Sequence, residues 1–413
     1  MKTLGVIVEY NPFHNGHLFH LQQSKKQTGA DIVIAVMSGQ FLQRGEPALV
    51  SKWARTKMAL LNGIDIVIEL PYAFATQKAE MFANGAISIL SNLKCDFVCF
   101  GSEQGNIQDF EHTYDFLSKE KAAYDFLVQK YVKDGNSFPK ASNLAFLELT
   151  NENMPLDLTQ PNNILGYHYV KAIKDQNSNV RPSTIERTVA GYHDEHFHSS
   201  PIASATSIRK HLFETHTVEE IKKYVPLKTY EQLLQYNKDH DMYHRWEDYF
   251  TLLKYKVLSS SLSELAEIYE VEEGLENRIQ EIIKNSTSYH EYMTNLKTKR
   301  YTWTRLQRMC THILTNTKKQ DMKLTTKDNK SNYVRLLGMS RAGQNYLGSI
   351  KKELSVPLVT KIGSYSDPML ELDKKATIAY SMSLSEPVRS DFIGKEYSQP
   401  PIRYDEENNI FLS

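Results

Sequence analysis

No window of this 413-residue chain approaches 18 uncharged apolar residues, which excludes a membrane-spanning helix. Cysteine is scarce: Cys95, Cys99 and Cys310 make an odd count without a zinc spacing and read as reduced thiols of a cytoplasmic protein. Met1 leads directly into an apolar strand-like run, and no secretory leader is expected. Net charge is missing as well. The 49 Lys and Arg balance 49 Asp and Glu, so a nucleic-acid reading must rest on where charges lie rather than on their sum. Repeats and low-complexity tracts are absent, and no glycine lies between Gly191 and Gly274. With 41% apolar and 24% charged residues, the composition is that of a globular chain with room for two or three domains.

The most informative stretch comes first. Residues 4–8 (LGVIV) form the short β-branched run of a buried parallel strand. A proline-containing turn over 10–13 follows, and the pattern predicts an amphipathic helix over 16–26. His14 and His17 fall at that junction with Gly16 between them. A helix N-terminus offers free N–H groups and partial positive charge to an anion. Two imidazoles there make a donor cluster suited to triphosphate oxygens, and Gly16 leaves room for a flat ring close to the backbone. A capped turn with two surface histidines is the plainer alternative, but the position between strand and helix favours the anion site.

Further strands are predicted over 30–37, 64–70 and 96–101, with helices over 52–61, capped by Ser51, and about 77–93. This alternation predicts a parallel sheet with right-handed crossovers, whose ligands bind at the carboxyl ends of the strands. Those ends, residues 10–17, 38–47, 69–72 and 101–103, are polar or glycine-bearing, as one shared site requires. Residues 105–150 read as a charged helical insertion, 161–167 as a loop entering a helix, and 182–189 as a fifth strand carrying Arg187. The segment ASATSIR (203–209) then enters another helix, where hydroxyls and Arg209 can hold phosphate; an ordinary Ser/Thr cap explains the hydroxyls equally well. His193, His196 and His198 lie close together, but no cysteine or distant ligand supports a zinc site, and a polar loop over the active site is the better reading.

Beyond residue 212 the segments read as amphipathic helices, and beyond Val334 as short strands with one or two helices. Residues 284–341 concentrate 13 Lys and Arg against 3 Asp and Glu. Within them KTKRYTWTRLQR (297–308) interleaves aromatics with guanidinium groups, suiting phosphate contacts and stacking on single-stranded bases. Thr298, Tyr301, Arg305 and Arg308 fall at roughly helical spacing. A solvated helix face with Trp303 in the core is the alternative. The fold expectation is an α/β class: a Rossmann-like parallel-sheet domain over 1–211, then a mainly helical RNA-binding domain over 212–413.

The motif at 14–17 resembles the HxGH nucleotidyltransferase superfamily, in which the two histidines stabilise charge at the ATP α-phosphate as pyrophosphate leaves. Ser204, Thr206, Ser207 and Arg209 match the superfamily's second signature, with Ala205 where a serine is common. The longer segments VEYNPFHNGH (8–17), SGQFLQRGEPA (38–48), ELP (69–71), FGSE (100–103), PNNILG (161–166) and KRYT (299–302) are similar to the bacterial tRNA(Met) cytidine acetate ligase family. That resemblance implies N4-acetylation of the wobble cytidine of elongator tRNA(Met) from ATP and free acetate, through acetyl-adenylate. His14, His17 and Arg44 are then the expected catalytic groups. The expected nucleotide site comprises Ile7, Val8, Glu9, Tyr10, Asn11, Phe13, His14, Gly16, His17, His20, Gly101, Asn162, Arg187, Thr188, Ser207 and Arg209. Lys297, Lys299, Arg300, Tyr301, Arg305 and Arg308 are expected to meet the RNA. Mg²⁺ is inferred from triphosphate chemistry alone, and a structural pair between Arg44 and Glu46 competes with a substrate role for Arg44. Two rivals remain: an adenylyltransferase acting on a small cofactor precursor, and a non-catalytic RNA-binding nucleotide sensor.

Overall fold

The second strand shows how the sheet is built. Every residue of Ile32–Ser38 is buried, and its side chains alternate between two cores. Ile32, Ile34 and Val36 enter one, Val33, Ala35 and Met37 the other, as a strand covered on both faces requires. In the computed structural model, which describes residues 1–150, 156–187, 202–215 and 217–412, this strand lies at the middle of a nine-stranded sheet.

The strands are β1 (Thr3–Val8), β2 (Ile32–Ser38), β3 (Ile66–Leu70), β4 (Phe97–Ser102), β5 (Arg181–Glu186), β6 (Val334–Ser340), β7 (Leu358–Val359), β8 (Ile402–Asp405) and β9 (Ile410–Leu412). Their order is β5-β4-β1-β2-β3-β6-β8-β9, with β7 beside β6. The first five run parallel, as expected. Order reverses between β1 and β4, so the switch-point crevice opens beside the carboxyl end of β1. There β1 pairs β4 over just Leu4–Gly5, against six residues with β2, and the pairing stops short of the carboxyl ends.

The helices Asn15–Thr28 and Lys52–Leu61 stand where the sequence puts them, and Ser51 caps the second by accepting from the Ala54 N–H at 3.3 Å. The expected helix from 77 is preceded by a separate turn, Tyr72–Ala75, and begins at Ala79. The insertion after β4 is three helices, Ile107–Lys119, Lys121–Lys133 and Phe138–Thr150; the last two share a small core around Leu127, Val128, Ala141 and Ala145.

Helices dominate residues 219–325, as expected, but the chain then returns to the sheet. β6 pairs antiparallel with β3, and β8 follows it, so the division at residue 211 does not divide the sheet. A buried ion cluster holds this return. The Lys52 ammonium lies 2.8 Å from both Glu69 and Glu396, and Arg335 on β6 reaches the same two carboxylates at 2.8 and 2.7 Å. Two cations against two anions leave no net buried charge, which is the condition under which such a cluster is tolerated.

The three cysteines are buried and free. Among the described residues no helix is long and apolar enough to cross a membrane.

Candidate active site

β1 delivers its chain into a tight turn at the switch point. Tyr10 takes a left-handed conformation, φ 49°, unusual for an aromatic residue and held by near-complete burial. Its ring packs 4.6 Å from Phe13 and 5.0 Å from His17. His14 and His17 then cap the Asn15–Thr28 helix reciprocally: His14 Nδ1 accepts from the Gly16 N–H at 3.0 Å, and His17 Nδ1 accepts from the His14 N–H at 3.2 Å. The imidazoles stack with centroids 3.7 Å apart.

Those two bonds settle the tautomers. An Nδ1 that accepts from a backbone N–H carries no proton, so each neutral ring holds its proton on Nε2. Burial keeps the rings neutral. It pushes His14 down to about 3, helped by Arg187 and Arg209, and holds His17 well below the usual histidine range, helped by His14 and Arg187. His20 is pushed down to about 4 by burial and Arg187. The site therefore offers neutral Nε2–H donors beside two guanidinium groups, a combination aimed at anionic oxygen.

Gly16 is needed for a reason closer to home than ligand approach. A Cβ there would lie 2.8 Å from His14 Cε1 and 3.0 Å from its Nδ1, so a side chain would unseat the imidazole.

Other expected residues gather around the same crevice. Gly101, next to last in β4, has Arg187 and His20 against it: a Cβ would meet Arg187 Cγ at 3.2 Å and His20 Cδ2 at 3.8 Å. Arg187 donates to Asn162 Oδ1 at 3.3 Å, while Asn162 Nδ2 donates to Glu103 at 2.6 Å. Arg209 donates to the Asn11 carbonyl at 2.8 Å and pairs with Glu46 at 3.1 Å, so Glu46, the expected rival partner of Arg44, serves Arg209. Ser207 is turned inward, its hydroxyl donating to the Ser204 carbonyl at 2.9 Å. Glu9 accepts from the Gln43 N–H at 2.8 Å, and burial raises its pKa, with Arg44 and Arg209 acting against the rise. Ile7 and Val8 close β1 behind it. Thr188 and the 193–198 histidines lie outside the described residues.

One buried group fits an absent ligand. Asn11 Oδ1 accepts from the Leu49 N–H at 2.6 Å, but Asn11 Nδ2 has no hydrogen-bond partner among the described residues. A donor so placed, beside Nε2–H groups and arginines, suits a phosphate-bearing substrate. No group of three His, Cys, Asp or Glu among the described residues is arranged to hold a metal.

Sequence reasoning missed Arg55. Its side chain is fully buried and donates to the carbonyls of Glu9, Ser38, Gly39 and Val50, tying the ends of β1 and β2 to the loop over 39–50. The same loop is gripped from the helical part: Gln307 donates to the Arg44 carbonyl at 2.9 Å, and Trp246 and Thr311 donate to that of Gly45 at 2.9 and 2.7 Å. Gly45, at φ +79°, has room for no Cβ, which would sit 2.6 Å from the Arg308 backbone.

The basic stripe departs from its expected shape. Its helix begins only at Trp303, capped by Thr302, so Thr298 and Tyr301 precede it and do not share a helical face with Arg305 and Arg308. Trp303 is half-buried at the edge of the core. Arg308 is buried against Glu270 at 2.9 Å, Arg305 pairs with Glu272 at 3.0 Å, and Arg300 with Glu273 at 2.7 Å. Thr294, Lys297, Thr298, Lys299, Tyr301, Thr302 and Trp303 line an open groove of about 680 Å³.

Neutral histidines have a consequence for stability. His14, His17, His20, His168, His244 and His312 all sit below the ordinary histidine pKa of 6.5 because of burial. As pH falls below about 6.5 the unfolded chain takes up protons that the native rings refuse, so native stability falls. Asp373, pushed up to about 7 by burial, acts in the opposite sense, as do Glu9, Asp65, Asp248 and Glu270, which burial also raises, but these carboxylates are fewer than the six histidines. The urea midpoint is expected to be lower at pH 5.5 than at pH 7.5; an equal or higher midpoint would refute neutral burial of these rings.

A parallel sheet with paired histidines opening the first helix at the switch point defines a nucleotidyltransferase. The HIGH nucleotidyl transferase family model matches residues 1–392. The tRNA(Met) cytidine acetate ligase of Bacillus licheniformis is 52% identical with all of both chains covered, and that of Bacillus subtilis (strain 168) is 50% identical, again over both whole chains. An apo crystal structure of Thermotoga maritima TmcAL superposes with TM-score 0.91 at 32% identity, covering 98% of this chain and 99% of that one. A second form of TmcAL, bound with alpha-thio ATP, superposes at 0.89 with the same coverage. The chain belongs to the tRNA(Met) cytidine acetate ligase family, enzymes that form a C–N bond.

Proposed function

We propose that this enzyme activates free acetate with ATP and transfers the acetyl group to N4 of the wobble cytidine of elongator tRNA(Met). The reciprocal capping of His14 and His17 carries the reading, because it commits both Nδ1 atoms to the backbone and leaves two Nε2–H donors for one anion. An acetate oxygen attacks the α-phosphorus in line, the bond to the β-phosphate bridging oxygen breaks, and pyrophosphate leaves. The charge that builds on the α-phosphate oxygens meets His14 and His17, already placed and already desolvated. Arg209 holds the departing phosphates, with Ser207 bracing its helix start through the Ser204 carbonyl, Arg44 meets acetate or phosphate, and His20, Gly101, Asn162 and Arg187 receive the nucleotide. Mg²⁺, held through the triphosphate oxygens, would neutralise part of their charge. In the second step cytidine N4 attacks the acetyl carbonyl, loses a proton and expels AMP.

The 212–413 part supplies the tRNA surface, with Lys297, Lys299, Arg300, Tyr301 and Arg305 around the groove. Arg308, paired with Glu270 and packed on Gly45, joins that surface to the catalytic loop. Incubation with elongator tRNA(Met), ATP, Mg²⁺ and isotope-labelled acetate, followed by mass spectrometry of nucleosides, is expected to yield labelled N4-acetylcytidine at the wobble position only when ATP is present. Acetate-dependent AMP without labelled cytidine would point to another acceptor, and neither product would overturn the reading. Arg300→Ala and Arg305→Ala are each expected to weaken tRNA binding and lower the slope of log K against log salt by about 1; binding unchanged across a salt series would remove them from the interface.

A further inference from the structure

Arg300, between the groove residues Lys299 and Tyr301, and Arg305, against the Tyr301 ring, are already occupied. Glu272 and Glu273, from the turn that precedes the Leu275–Asn285 helix, sit on Arg305 and Arg300, and Glu273 also accepts from the Tyr301 hydroxyl at 2.6 Å. Arg305 lies over the Tyr301 ring, 4.7 Å from its centroid. A patch that counts as strongly basic by sequence thus has two of its cations matched by carboxylates at the rim of its groove.

We propose that Glu272 and Glu273 stand in the positions that tRNA phosphates take, and that productive binding displaces both, so that these carboxylates set the threshold an RNA must pass. This rests on the tRNA reading of the groove.

Exposure separates the pairs. The Arg308 and Glu270 side chains are 11% and 12% exposed, and that pair is fixed packing under Gly45. The Glu272 and Glu273 side chains are 53% and 44% exposed, Arg300 is 53% exposed and Arg305 29%. Exposed pairs are weak and screened by salt, so a phosphate arriving with other contacts can replace the carboxylate. Lys297 and Lys299 in the same groove supply the first attraction, and Tyr301 and Trp303 offer faces for a base. An RNA that also seats a base there completes the exchange. A bare polyanion gains only the phosphate contacts and meets two carboxylates, which is how acidic groups at a basic surface favour one partner over others.

The test is a double-mutant cycle on the full-length enzyme, reading Kd for elongator tRNA(Met) and for a non-cognate tRNA across a salt series. Glu272→Gln with Glu273→Gln is expected to tighten binding about three- to tenfold, more for the non-cognate tRNA than for the cognate one. In an Arg300→Gln, Arg305→Gln background the same glutamate changes are expected to give no gain, because nothing remains to be released. An equal gain in both backgrounds would mean that the glutamates merely repel RNA at a distance, and would overturn the displacement. If the arginine changes weaken binding but the glutamate changes do nothing, the arginines bind RNA with their carboxylates in place, and the inference fails while the tRNA reading stands. If the arginine changes leave binding untouched, the groove is not the tRNA surface and both readings fall. Thermal melting of each variant serves as the control for folding.

Discussion

In a His17→Ala variant, acetate-dependent release of pyrophosphate from ATP is expected to fall by about 10²-fold or more, the usual loss when one donor to developing charge is removed. The geometry divides the effect between two atoms. Nδ1 of His17 caps the helix through the His14 N–H, and losing that bond costs about 1 kcal/mol of stability. On the proposed mechanism Nε2–H is the donor to substrate, and its loss is expected to appear in the rate. The variant should melt close to wild type while kcat for the adenylating step collapses, with the KM for ATP changing less because other groups hold the nucleotide. His14→Ala should behave alike, since its ring is bound in the mirror sense and stacks on His17. Undiminished pyrophosphate release by His17→Ala would end the assignment.

On the proposed mechanism, neutrality is what would make both imidazoles selective for the transition state. An imidazolium pair 3.7 Å apart would repel, and burial together with Arg187 and Arg209 already opposes protonation. A neutral Nε2–H adds no charge in the ground state and grows in worth only as the α-phosphate oxygens gain charge. Fixed positive charge comes instead from arginines, one of them tethered through the Asn11 carbonyl to the turn that carries the histidines.

What could be read in the sequence was what repeats locally. β1, β2 and β3 announce themselves by β-branched runs, and His14, Gly16 and His17 lie within four residues, so strand, helix and the histidine pair at their junction were legible together. The match of 203–209 to a helix entry was equally local. Arg209's bond to the Asn11 carbonyl spans 198 positions and leaves no trace in either segment. The same holds for Glu272 and Glu273: a tally over 284–341 stops short of the carboxylates that answer its arginines, because the turn presenting them lies some thirty residues earlier. β6 reads as a short apolar strand, but nothing local says that it joins β3 antiparallel; Arg335 meeting Glu69 and Glu396 does that, through three distant segments. Helical spacing misled at Tyr301, because the Thr302 cap starts the helix later than periodicity alone suggests.

Arg55 is the sharpest case of a residue invisible in sequence and central in structure, and Arg55→Met is expected to destabilise the enzyme by about 3–5 kcal/mol. Its recorded partners are four carbonyl oxygens, Glu9 at 2.8 Å, Ser38 at 2.9 Å, Val50 at 3.2 Å and Gly39, and the pair at Glu9 and Ser38 fixes the carboxyl ends of β1 and β2 relative to each other. Methionine fills similar volume and leaves no buried charge, so the loss comes from acceptors stranded without a donor, about 1–3 kcal/mol each. Removing the cation returns part of this, because burial penalises it enough to push its pKa down to about 10, and the net is smaller than four full penalties. Arg55→Lys restores charge but not the planar fork, and can serve one or two carbonyls at once, so it should fall between wild type and Met. The loop over 39–50 carries Arg44 and Glu46, the latter paired with Arg209, so activity at 25 °C should drop in the same order even where each variant remains folded. Urea unfolding with acetate-dependent pyrophosphate release on the same samples checks both scales. A methionine variant with wild-type stability and rate would show that the strand ends hold their places without the guanidinium.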